Sequence, residues 1–510
     1  MRSSLIEKLT ISNKKVYKKS HNCKGNLFVI QSNDIFMVTT IMRISYAIAK
    51  TLNYNVIVLP SILAKKDVLS LIESYSPFKI LNTKILIIKS FLLNYKFIFN
   101  SLLALNNGRE LESFKINGDN IGKHIYDSLL KRLRLPTIKQ LSLYHKMLIC
   151  FELSYYFSIV SLVKSKFIDF AILTDNVYRH GVFFEIFKAK GIPSVSGICV
   201  NNFSMHRYDT NEDYEDHCRT PDYEVIDKIY NSNELYLRAK KYLDYRFSGM
   251  EKQHDLIRAY SKSKRTISRL ELIKEYKLCE SKKIVLVMAH IFCDAPHADS
   301  GMLFYDYVEW LEETCIRLKK NRFVNILIKE HPSVELYGEK GVINKILSRN
   351  GLQNHLLSKD INTKSLFNCI DVLVTCGGTG GAEFPCFGVP VVVAAKPPYS
   401  FFPFIYKSDD KYKYLRLIDQ IHKIKKLNLE NVKLAECNMY VMYEIMKVDK
   451  SKIGFTNHIF SADHEIDYEL YINQIIEDNN DKSMTNDFYK LMNDFMNSKY
   501  KNLINNNLLE

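Results

Sequence analysis

Short apolar runs alternate with helical patterns twice along this chain, and that double alternation limits the fold more than any other feature. The first series opens with a strand expected at Asn26 to Gln31, a loop at Ser32-Asn33-Asp34 and an amphipathic helix from about Ile35 to Leu52. Strands expected at Asn55 to Leu59, Phe167 to Thr174 and Pro193 to Ile198, with a helix from Val182 to Lys190, continue it. The second series places strands at Ile284 to Ala289, Val324 to Ile328, Asp371 to Thr375 and Val389 to Ala394, with helical patterns at Leu303 to Lys319 and Lys364 to Cys369. Strands separated by helices pair in parallel through right-handed crossovers. The expected fold class is α/β, with two Rossmann-like sheets facing across a central cleft.

The stretch from Tyr236 to Ser281 reads as helical, polar and basic, and its end is taken as the interdomain connection. The expected division is an acceptor-side domain at 1–275, a nucleotide-binding domain at 276–450, and a helical, polar extension at 451–510 that is loosely ordered beyond about Asp478. At 510 residues the chain exceeds what one core supports, which agrees with two domains. The net charge of +15 favours anionic partners, although lysine on a solvated surface would give the same value. The 11 cysteines are odd in number and form no C-x-x-C pair, so reduced thiols and a cytoplasmic setting are expected. No signal peptide is read at the N-terminus. The longest apolar segment, Met147 to Val163, is interrupted by Glu152 and reads as a buried helix.

Four segments carry candidate chemistry. Thr375-Cys376-Gly377-Gly378-Thr379-Gly380-Gly381-Ala382-Glu383 follows an apolar run and opens a helix. Such a turn lets backbone N–H groups approach an anion, with Thr379 as a hydroxyl donor and Glu383 as an acceptor for a ribose hydroxyl. The competing reading is a tight turn whose small residues serve packing. Lys329-Glu330-His331-Pro332 ends another strand and offers an imidazole on a rigid backbone, while Lys329 and Glu330 could simply pair with each other on the surface. His290, Asp294 and His297 follow a third strand; substrate contact or proton transfer is preferred there over metal binding, because their spacing fits no common ligand pattern. Asp175, with Tyr178, Arg179 and His180, ends a strand of the first series, as a base for an acceptor hydroxyl or as an N-cap. Asp34 is its rival by the same logic.

The series His290-x-x-x-Asp294-x-Pro296-His297, Phe304-x-Asp306-Tyr307-x-x-Trp310, Lys329-Glu330-His331-Pro332 and Gly377-Gly378-Thr379-Gly380-Gly381-x-Glu383-Phe384 resembles bacterial capsule polysaccharide biosynthesis proteins. Gly118-Asp119-Asn120-Ile121-Gly122-x-x-Ile125-Tyr126-Asp127 and the Asp175 to Gly181 run are similar to the first half of such proteins. The resemblance implies a GT-B glycosyltransferase, inverting and metal-independent, that moves a sugar from a CMP- or UDP-linked donor to a glycan or lipid-linked acceptor. It implies donor contacts at Lys329, His331, Pro332, Gly377, Gly378, Thr379, Gly380 and Glu383, and leaves Asp175, His180, His290 and Asp294 as candidates for catalysis. No further cofactor is expected. The alternatives are a transferase of glycerol- or ribitol-phosphate from a CDP donor, or a non-catalytic capsule-assembly protein. A nucleic-acid partner is not expected, since no base-reading module accompanies the charge. The expected location is the cytoplasm, with association to the inner membrane or to capsule-assembly proteins as an option.

Overall fold

The computed structural model describes residues 2–19, 22–165, 167–198, 203–249, 256, 259–261, 263–298, 301–447 and 467–510. Residues 451–466, the first part of the expected extension, lie outside the described residues.

The first sheet holds β1 (Gly25–Ile30), β2 (Tyr54–Leu59), β3 (Lys79–Ile80), β4 (Phe170–Ile172), β5 (Ser194–Ile198) and β6 (Phe203–Tyr208), in the order β3-β2-β1-β4-β5-β6. Five strands are parallel; β6 returns antiparallel to β5, an edge strand that the apolar pattern did not announce. The second sheet holds β7 (Lys283–Met288), β8 (Val324–Lys329), β9 (Val372–Thr375), β10 (Val391–Val393) and β11 (Ile405–Tyr406), all parallel, in the order β11-β10-β9-β7-β8. Both are doubly wound, so the expected class of two Rossmann-like sheets is the observed one. In β1, Leu27 and Val29 pack on one face while Phe28 and Ile30 pack on the other; both faces are covered, as a parallel sheet requires.

Each sheet reverses its winding once. The first does so between β1 and β4, the second between β7 and β9. The loops leaving these strand pairs diverge and open a crevice at the carboxyl ends, the place where such sheets bind ligands. Asp34, Asp175, His290 and the glycine-rich turn all stand at these ends.

Packing divides the chain differently from its order. The helices Tyr223–Asn231 and Asn233–Phe247, expected to lie with the first domain, bury Ile226, Leu243 and Phe247 with the second sheet. The helices Tyr468–Asn480 and Lys482–Asn497 return to the first sheet, where Tyr471, Ile475 and Phe495 join Val38, Ile41 and Ile48. The tail expected to be loose is therefore part of the first core. Within the Leu143–Lys164 helix, Glu152 accepts from Arg179 Nε at 2.9 Å and Nη2 at 2.5 Å, which explains a carboxylate in the middle of an apolar segment.

The two bodies meet along a polar seam made by the two halves of the resemblance motif. Tyr126 donates to Asp306 Oδ2 at 2.8 Å, and Asp306 Oδ1 caps the Tyr307–Lys320 helix by accepting from Val308 and Glu309 N–H, both at 2.9 Å. Asp127, with no side-chain exposure, accepts from the His297 N–H at 3.1 Å and faces His297 Nδ1 at 2.7 Å. Burial alone would depress the His297 pKa, but the Asp127 carboxylate outweighs it and raises the value. A histidine whose pKa rises on folding stabilises the folded chain below the ordinary value of about 6.5, and that contribution fades as pH climbs through the raised value. His297→Gln is therefore expected to lower the melting temperature more at about pH 6 than at about pH 9. Equal losses at both pH values would mean that the ring acts by packing alone.

Candidate functional site

The carboxyl ends of β7, β8 and β9 line one cavity of about 310 Å³, within the usual range for ligand sites. His290, Asp294, Lys329, His331, Pro332, Gly377, Gly378, Thr379, Gly380 and Glu383 all border it. The other candidates from the sequence, Asp34, Asp175, His180 and His297, do not line it.

His290 follows β7 and lies flat against Tyr307, ring centroids 4.4 Å apart at 15°. Its Nε2 accepts from the Cys376 N–H at 3.3 Å and the Gly377 N–H at 3.5 Å, beside Thr375 Oγ1 at 3.0 Å. Backbone N–H groups can only donate, so their partner nitrogen carries the lone pair and the ring proton is assigned to Nδ1. Burial, then the neighbouring His331, pushes the His290 pKa down to about 3. The ring is thus a neutral acceptor that holds the glycine-rich turn, and its basic nitrogen is not available to take an acceptor proton.

The glycine-rich turn serves both of its readings. A Cβ on Gly380 would meet Met288 Sδ at 2.8 Å, and one on Gly381 would meet the Tyr399 hydroxyl at 2.2 Å, so these two glycines are required by packing. Tyr399 in turn donates to the Gly378 carbonyl at 2.6 Å, which stiffens the turn. Thr379 is exposed on the cavity wall, and its side chain makes no helix-capping hydrogen bond.

Lys329 and Glu330 do not pair with each other on the surface. Both are buried; Lys329 Nζ donates to the Ile361 carbonyl at 3.2 Å, and Glu330 meets Lys359 Nζ at 2.9 Å. Side chains alternate along a strand, so adjacent residues face opposite ways. Burial, helped by Lys264, brings the Lys329 pKa down to about 8, which leaves it mainly charged at neutral pH. His331 Nδ1 accepts from the Ser333 N–H at 3.2 Å, so Nε2 is its protonated nitrogen when the ring is neutral. The Glu383 carboxylate is already engaged: Arg246 Nη2 donates to Oε1 at 2.9 Å and the Tyr260 hydroxyl to Oε2 at 2.6 Å. Through these bonds Glu383 positions Arg246 at the cavity edge.

Contacts from the cavity lead on to the first sheet's carboxyl ends. Asp294 accepts from Lys131 Nζ at 2.8 Å and from the Tyr178 hydroxyl, tying the cavity to the loop after β4. Burial would raise the Asp294 pKa, but Lys131 and Tyr178 overcome it and hold the carboxyl below its usual range. Tyr178 and Ala295 both have left-handed backbone, with φ of 54° and 46°. Non-glycine residues pay about 1–2 kcal/mol for that conformation, and such strain collects at functional sites. Asp175 lies outside the cavity lining, but its charged neighbours, Arg219 and Asp294, are both part of it. Water reaches its side chain, yet protein surrounds the cleft; this desolvation raises its pKa to about 6 against the Val177 N–H and Arg219. It does not cap the Tyr178–Lys190 helix, whose N-cap is Val177.

His180 is turned to structure, its Nδ1 3.4 Å from the Thr174 N–H and 3.2 Å from Thr174 Oγ1, and burial lowers its pKa to about 4. Asp34 caps the Ile35–Leu52 helix through the Met37 N–H at 3.0 Å and accepts from Tyr468 at 2.6 Å. Three basic cavity residues went unnoticed in the sequence: His217, Arg219 and Arg246. Only Arg246 carried a signal, a cation at helical spacing from Ala239, Tyr242 and Leu243 on a buried stripe.

Fold and site together define a two-domain, doubly wound α/β protein with a cationic cavity at the winding reversal of its second sheet. No family model matches the chain, and no curated protein matches its sequence. Among solved structures it is similar to KpsC of Thermosulfurimonas dismutans, a beta Kdo 2,4 transferase, at 12% identity over 61% of this chain and 87% of that one, with a TM-score of 0.31. It is also similar to a glycosyltransferase from Rickettsia africae, at 12% identity over 83% and 94% of the two chains, TM-score 0.27. HepE of Anabaena, solved in complex with UDP-glucose, is similar at 10% identity over 82% and 94%, TM-score 0.27. At such low identity and superposition no residue role transfers from any of them.

The tautomer of His290 is open to direct measurement. With nitrogen-labelled histidine, its ring is expected to show a proton on Nδ1 and no titration between about pH 5 and about pH 9. A protonation step near pH 6.5 would show instead that its basic nitrogen is free.

Proposed function

We propose that the protein is a glycosyltransferase of capsular or other surface polysaccharide biosynthesis, moving a sugar from a nucleotide-activated donor to a glycan or lipid-linked acceptor. The observation that carries this reading is the pairing of two winding reversals. A cavity with Lys329, His331, Arg219 and Thr379 on its border is tied through Asp294 and Tyr178 to the Asp175-bearing loop of the other sheet. Diphosphate or monophosphate charge suits the cavity, and an acceptor hydroxyl suits the loop. The order of the motifs, which resembles capsule biosynthesis proteins, supports the same substrate class.

In this reading the acceptor hydroxyl is deprotonated as it attacks the anomeric carbon from the face opposite the nucleotide, inverting the centre. The bond to the nucleotide phosphate breaks, and the charge left on that phosphate is met by Lys329, by the His331 Nε2–H and by the Thr379 hydroxyl. These side chains supply the electrophilic assistance, and the reading requires no metal ion. Asp175 is the base. Its raised pKa keeps it mostly ionised at neutral pH yet basic enough to accept a proton, whereas Asp294 is held ionised by Lys131 and Tyr178.

His331→Ala and Thr379→Ala are each expected to weaken binding of the cognate nucleotide among CMP, CDP, UDP and GDP by roughly ten- to a hundredfold, the loss for a hydrogen bond to a charged group. Thermal-shift titration reads this directly, and unchanged affinity in both variants would remove the site assignment.

A base is active when deprotonated, so kcat/KM is expected to be full above the Asp175 pKa and to fall as pH drops through about 6. Asp175→Asn is expected to cut transfer by about 10²–10⁴ while leaving nucleotide affinity unchanged. An acid limb below about pH 4 would assign the base to Asp294 instead.

A further inference from the structure

Among the described residues, three helices are long and apolar enough to cross a membrane: Ile35–Leu52, Thr83–Ala104 and Leu143–Lys164. The first is 72% buried and the third 56%, as helices packed on a sheet should be. The Thr83–Ala104 helix is only 22% buried. One stripe, with Ile87, Ile98 and Leu102, joins the first core. A second stripe, Ile85, Ile88, Leu92, Leu93, Phe99 and Leu103, is between 51% and 74% exposed. An apolar face of that length, broken only by Lys89 and Lys96, is uncommon on a freely soluble surface. It also continues beyond the helix: Asn107 bridges to Gln140, so exposed Leu143 and Met147 begin the next helix beside its end.

The charge on this helix identifies the occupant. It carries Lys84, Lys89 and Lys96, all exposed, and no acidic residue. A protein partner or a second copy would bury those lysines with nothing on this helix to pair them. A bilayer surface accommodates both parts: apolar side chains enter the acyl boundary while lysine stems carry their ammonium groups up to anionic headgroups. A spanning arrangement fits less well, because Lys89 and Lys96 would lie within the hydrocarbon and the Ile87–Leu102 stripe would have to leave its core.

We propose that the outer face of the Thr83–Ala104 helix lies flat on an anionic lipid bilayer and docks the first domain there. The helix belongs to the body that presents Asp175, so docking holds the acceptor side of the cleft next to the membrane. The proposal rests on exposure and charge alone and stands whether or not sugar transfer is the activity.

The test is flotation of the full chain with vesicles of phosphatidylcholine, alone or with about 30% phosphatidylglycerol. Binding is expected to the anionic vesicles, to weaken with added salt, and to drop at least tenfold in Leu92→Glu/Leu93→Glu. Replacing Lys84, Lys89 and Lys96 by Gln is expected to weaken it about fivefold per lysine removed. Both variants should keep the wild-type melting temperature and far-ultraviolet circular dichroism, which shows that they fold. No binding of the wild-type chain to anionic vesicles would overturn the proposal, as would undiminished binding by folded Leu92→Glu/Leu93→Glu. A wild-type dimer that the same substitution makes monomeric, with no vesicle binding, would assign the face to a second copy and equally overturn it.

Discussion

Asp127 is a fully buried carboxylate whose hydrogen-bonding partners come from the other half of the molecule. Leaving such a group unpaired is expensive, so the two sheets cannot drift apart without exposing it or stranding it. Tyr126 and Asp306 repeat the arrangement one residue away, and Asp306 is also the cap of a helix in the second body. The width of the cleft is set by these few contacts. Everything that the site offers, from the Lys329 ammonium to the Asp175 carboxylate, depends on that spacing.

The site is built by commitments among its own residues. His290 gives its lone pair to the glycine-rich turn, Glu383 gives its carboxylate to Arg246, and Asp294 is held by Lys131 and Tyr178. What remains directed at the cavity is mostly donor: N–H, hydroxyl and cation. Such preorganised donors need no rearrangement when negative charge develops on a leaving phosphate. The winding reversals bring the acceptor and donor sides together without any side chain having to reach far.

Much of this was legible in the residues. The helix at Ile35–Leu52 and the strands of both sheets follow from apolar periodicity, because a fully covered parallel strand has to be apolar along its length. The glycine-rich and His-Pro segments were legible because strand ends, turns and rigid loops have local signatures. Roles assigned through long-range partners were not. Glu330 reads as a surface partner of Lys329 until Lys359 is seen beside it, and Arg246 gains its place only when Glu383 arrives from a strand end far along the chain. The Asn-rich tail looks loose because its buried side chains, Tyr471, Ile475, Phe488 and Phe495, are spread over two helices and meet a sheet completed hundreds of residues earlier.

That tail has a consequence for how the molecule is made. One face of the first sheet is covered by helices that lie near the far end of the chain, after the whole second sheet. A ribosome therefore releases the first sheet with Val38, Ile41 and Ile48 lacking their final cover, while the second core still awaits Ile504 and Leu509. Neither body is complete until the last residues have emerged. Interrupting synthesis before residue 467 would leave both cores unsealed, a natural substrate for chaperones.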